Sequence, residues 1–132
     1  MKQRSKPVLL AMTVCDQIIR EEGTKKISLM GLFNTMHAKK FPCIHPRMHI
    51  YIALTEYTGS ANCELKFSDS TGKAIVQLTG PVNFPDKLAV VEMNFCINNL
   101  PLPKAGLYHF DFIMDGQPIG HRKFIVQQIK EK

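Results

Sequence analysis

The chain has 132 residues, 45% hydrophobic and 21% charged, a length and balance that fit one self-folding domain and exclude a disordered chain. Seventeen Lys and Arg against eleven Asp and Glu leave a net charge of +6, but the basic residues are scattered from Lys2 to Lys132 where turns and ends are expected, as a solubilising rim would be. No apolar run is long enough to cross a bilayer as a helix, and Cys15, Cys43, Cys63 and Cys96 contain no C-x-x-C pair, which removes zinc-ribbon spacing.

Basic residues followed by the apolar run Val8 to Cys15 copy the order of a lipoprotein export signal. Val14 stands where the peptidase needs a small residue, and Asp16, Gln17, Ile18 and Ile19 continue the run as a strand, so the expectation is a cytoplasmic protein with reduced, partly buried thiols. Val8 to Ile19 is the first predicted strand. A turn over Glu21 to Thr24 leads into a second, Ile27 to His37, in which Gly31 predicts a bulge or a close backbone approach. Phe41 to Pro46 reads as a loop because its prolines oppose central ladder positions. Arg47 to Tyr57 alternates, with Met48, Ile50, Ile52 and Leu54 on one face. Asn62 to Ser68 and Ala74 to Thr79 flank a turn at Asp69 to Gly72, and Pro81 to Lys87 reads as a loop. Leu88 to Ile97 is a strand whose broken alternation at Val90 and Val91 predicts a bulge. Leu107 to Met114 and Ile119 to Ile129 form a hairpin about the Asp115-Gly116 turn signal.

Regular short strands with Gly and Pro punctuation define the expected fold: an all-β, immunoglobulin-like antiparallel sandwich of seven or eight strands. One domain spans residues 1–132, with 1–6 and 129–132 expected to be flexible. The order of Leu102, Gly106 and Tyr108 before an alternating strand resembles a tyrosine corner, in which a phenol hydroxyl bonds backbone a few residues upstream. Gly31, Gly106, Tyr108 and Gly116 are therefore the structural positions.

Asp16 and His45 are a carboxylate and an imidazole of the types that make half of many catalytic or metal sites. Cys43 and His45, two apart on an extended segment, would share a face roughly 7 Å apart, so a shared metal, with His37 or Asp16 assisting, needs local bending. Phosphate loops, nucleophile elbows and His-Glu-x-x-His motifs are absent, and neither a cofactor nor an enzymatic activity is expected. Loops on a rigid sandwich commonly carry recognition, which makes Phe41, Cys43, His45 and Arg47, with Asp115 and Gln117 of the final turn, the contact candidates. The long apolar Val8 to Ile19 strand is a further surface, open to pairing with another chain if it lies at a sheet edge.

The block CDQIIREEGTKKISLMGLFNTMHAKKFPCIHPRMHIY, followed later by Pro103, Gly106 and Tyr108, resembles an uncharacterised bacterial family, a domain of unknown function, of single-domain β-sandwiches. The resemblance runs nearly end to end and implies a fold and no activity. The functional expectation is a non-catalytic module that engages a protein partner or itself, including as a homodimer, with no membrane association. The alternatives are a binder of nucleic acid or another anionic polymer, and a metal-assisted hydrolase built on the Cys43/His45 loop.

Overall fold

A computed structural model describes residues 5–130. Among them are nine strands and no helix: β1 (Val8–Arg20), β2 (Ile27–Leu32), β3 (Thr35–Ala38), β4 (Cys43–Thr55), β5 (Gly59–Asp69), β6 (Ala74–Phe84), β7 (Val91–Leu102), β8 (Gly106–Met114) and β9 (Gln117–Gln128). They form two sheets, ordered β2-β1-β4-β7 and β3-β9-β8-β5-β6. Period-two alternation builds the space between them. Met48, Ile50, Ile52 and Leu54 of β4 are all fully buried, as are Tyr108, Phe110, Phe112 and Met114 of β8 to within 2% exposure. Each such side chain contributes about 1.5–3 kcal/mol by leaving water. Phe67 lies at the aromatic centre, stacked on Tyr108 at 5.1 Å and packed on Phe110 at 4.7 Å.

The last hairpin turns where expected. Asp115 and Gly116 both adopt positive φ, 47° and 79°, the combination of a two-residue turn whose twist suits its strands. Between Phe112 and Ile113 the register shifts, so that Ile113 faces Pro118 while Phe112 faces Gly120, and Ile119 is the extra residue. An unshifted hairpin would set Phe124 against the half-exposed Leu107. The shift sets it against Tyr108, and both rings are buried. The tyrosine corner is also present: the Tyr108 hydroxyl donates to the Lys104 carbonyl at 2.5 Å, tying the connection between the two sheets.

Several expectations are corrected. Ile27 to His37 is two strands, which raises the count to nine, and β3 pairs with β9 in parallel, so the sandwich is not wholly antiparallel. The handover occurs at Phe33, whose ring enters the core against Phe124 at 5.7 Å, and at Asn34, whose carbonyl accepts from the Ile125 amide at 3.0 Å. Cys43 to Arg47 is strand, not loop. β4 pairs with β7 along its length but with β1 only from His49 onward, so Pro46 occupies a half of β4 with one strand neighbour, where a missing N–H is tolerated. The same reasoning carries β6 through Pro81 to Phe84, since β6 is a sheet edge. β7 begins at Val91 in unbroken register with β4, without the expected bulge, and Leu88 and Val90 belong to the exposed loop before it.

β1 is not a terminal edge strand: it pairs with β4 through its first half and with β2 through its second. On the side that β2 leaves open, the Arg122 guanidinium donates to the Met12 carbonyl and the Phe33 amide to the Val14 carbonyl. The expected flexible ends fall partly outside the described residues. Within them, the Ile129 amide donates to the Ala38 carbonyl at 3.0 Å, so that position is held.

Candidate binding groove

Three chain segments meet at the end of the sandwich where β4 and β6 begin and β7 ends. Cys43 pairs with Leu102 and Ile44 with Pro101, forming one wall. Lys73, Ala74 and Ile75, at the start of β6, form the other. With Pro42 and Pro103 they enclose an open, largely apolar groove of about 510 Å³. Leu102 is fully buried beneath it, whereas Ile44 is 63% exposed.

Both walls are stiff for identifiable reasons. Proline fixes φ, and Pro42, Pro101 and Pro103 therefore hold their rings with little conformational freedom. The β5–β6 turn is clamped by Asp69, whose Oδ1 accepts from the Thr71 hydroxyl at 2.6 Å, the Thr71 amide at 2.9 Å and the Lys73 amide at 3.0 Å. These bonds, that of the Thr71 hydroxyl foremost, hold the Asp69 carboxyl below its ordinary value. Behind Pro103, the Tyr108–Lys104 bond closes the corner.

Of the predicted contact residues, Cys43 lines the groove and Phe41, just before it, packs against the core. His45 turns inward onto Phe33, ring centres 5.8 Å apart, and its Nε2 is buried without a hydrogen-bond partner. This inward placement follows from a paired irregularity. Inward positions on β4 pass from Met48 to His45, and on β7 from Ile97 to Leu100, around Asn99 at φ 55°. Arg47 falls at the irregularity, exposed, and its Nε donates to Asn98 at 3.2 Å. Asp16 lies elsewhere, against Gly31. A Cβ at Gly31 would stand 2.6 Å from the Asp16 carboxylate, so the predicted close approach is present, at φ 71°. His37 is engaged with Gln127 at 2.9 Å. Among the described residues, no three of His, Cys, Asp and Glu are grouped to hold a metal ion.

Asp115 and Gln117 follow the far end of β8, away from the groove. The Asp115 carboxylate accepts from the Asn62 amide at 2.8 Å, and the Asp115 amide donates to the Asn62 carbonyl at 2.9 Å, so this residue fastens the hairpin to β5. Gly106 opens β8, one residue before the expected start at Leu107, and Gly116 completes the turn. Sequence reasoning missed Ile44, Pro101 and Ile75 as groove residues because their convergence depends on the β4–β7 register and on a wall from the other sheet. The only available signal was the density of prolines around two apolar stretches.

All four cysteines are free. Burial raises the Cys15 thiol above its ordinary value and pushes Cys63 up to about 11, whereas Cys96 is exposed. Tyr51 is pushed up to about 12, first by burial and then by its hydrogen bond to Glu92.

Fold and groove together define a two-sheet all-β sandwich with an apolar trough at its end. The chain belongs to the family of unknown function DUF6941, whose model matches residues 10–127. No curated protein matches it. The crystal structure of CopC from Methylosinus trichosporium OB3b is similar at 16% identity, over 96% of this chain and 99% of that one, with a TM-score of 0.40.

Proposed function

We propose that the protein is a non-catalytic, cytoplasmic binding module whose groove receives an extended apolar segment of a protein partner. The observation that carries this reading is the stiff trough between Ile44, Pro101 and Ile75, about 510 Å³ in volume and open to solvent. Its rim is positive: Lys73 lines it and Lys104 follows Pro103, in a chain of net charge +6. Acidic residues flanking the apolar segment suit that rim, and apolar burial supplies the affinity.

The dispersal of Asp16, His37 and His45 supports a non-catalytic role over metal-assisted hydrolysis. Binding of single-stranded nucleic acid is disfavoured because such sites stack bases on exposed rings. All eight Phe and all three Tyr are at least partly buried here.

A photo-crosslinking amino acid at Lys73, compared with one at the exposed outer position Gln77, tests the groove in cells that naturally make the protein. The reading predicts one discrete protein adduct from Lys73 that Ile44→Asp abolishes. Equal adducts from both positions, or no adduct from Lys73, would overturn it.

A further inference from the structure

On the outer face of the five-stranded sheet, β8 and β9 place two imidazoles and a carboxylate side by side. Asp111 faces His121 across the hairpin, and His109 lies diagonal to His121, opposite Lys123. The Asp111 Oδ1 and His121 Nδ1 are 2.7 Å apart. The rings of His109 and His121 have centres 5.0 Å apart, tilted by 33°. The register shift at Ile119 creates this arrangement, since an unshifted hairpin would turn His121 toward Phe110 and the core.

We infer that His109 and His121 form a surface site for a divalent transition-metal ion such as Ni²⁺, Cu²⁺ or Zn²⁺. A carboxylate on Nδ1 makes that nitrogen the donor and leaves the His121 Nε2 lone pair free for an ion, the arrangement by which carboxylates orient metal-ligating histidines. A second observation comes from His109, whose Nδ1 is buried without a hydrogen-bond partner, so no hydrogen bond fixes the ring at that nitrogen and Nε2 is the one left to meet an ion at the surface. The spacing agrees as well. With metal–nitrogen bonds of about 2.0–2.1 Å, two imidazoles on one ion at near-tetrahedral angles hold their centres about 5 Å apart. Asp111 serves as the orienting group and water fills the remaining positions, so two nitrogens ligate rather than a three-residue set. Lys66, opposite Asp111, and Lys123, opposite His109, weaken attraction for a cation and place the site among moderate-affinity ones.

Ni²⁺ titration of the full chain tests this, read by histidine-ring NMR in a Cys96→Ser background that removes the exposed thiol. The His109 and His121 signals broaden first and saturate near one equivalent, while those of His37 and His49 respond only at higher Ni²⁺. His121→Gln abolishes the early response with the amide spectrum otherwise retained. Asp111→Asn weakens binding about 10-fold or more, because the orienting bond is lost. Simultaneous broadening of all the histidine signals, or unchanged binding in His121→Gln, would overturn the site.

Discussion

Tyr108 carries two jobs in one side chain: its ring stacks on Phe67 and its hydroxyl holds Lys104. Tyr108→Phe keeps the ring and strips the Lys104 carbonyl of its donor. Chemical denaturation is expected to report a loss of about 1–3 kcal/mol, the cost of orphaning a buried polar group. The thiols separate by environment in the same way. At pH 8 a disulfide reagent is expected to modify Cys96 rapidly, and Cys15 and Cys63 only after unfolding, because buried thiols kept protonated are poor nucleophiles. Cys63 also makes stability depend on alkaline pH. Its ordinary value is 9.0 and burial pushes it up to about 11, so the folded state retains a proton that the unfolded state releases. Its contribution is fully present below pH 9 and is lost as pH rises through about 11. Cys63→Ala should flatten the stability profile across that window, and an unchanged slope would refute the assignment.

At the scale of elements, register matters more than composition. Gly31 sits opposite Asp16 in the β1–β2 hairpin, at φ 71° and too close for a side chain. Gly31→Ala is expected to cost about 1–3 kcal/mol through backbone strain, read as a fall in melting temperature. The alternation of β4 and β8, the Asp115-Gly116 turn and the Gly31 approach were all legible in the sequence, because each depends on residues close along the chain. The strand nature of Cys43 to Arg47 was not, since whether Pro46 is tolerated depends on which side of β4 lacks a neighbour. Nor was the pairing of Asp111 with His121, because one extra residue at Ile119 changes which face His121 occupies. The sheet switch between Leu32 and Thr35 was hidden for a related reason: Phe33 continues an apolar pattern that looks like uninterrupted strand.

At the scale of the molecule, one rigid sandwich separates two surfaces. The apolar groove lies at the end where β4 begins, and the histidine pair lies on the outer face of the five-stranded sheet. A partner in the groove and an ion on the sheet would therefore not share residues. The sequence made the sandwich legible and named Cys43, which lines the groove, among its contact candidates. It could not specify the opposite wall, which comes from β6 in the other sheet. The most direct test of the binding account is light scattering, under reducing conditions, on protein recovered from cells that naturally make it, with wild type and Ile44→Asp compared. Ile44 is 63% exposed, so the substitution leaves the core intact. The account predicts a discrete complex with a second protein for the wild type and a bare monomer for the variant. A bare monomer in both cases, or the same complex in both, would contradict it.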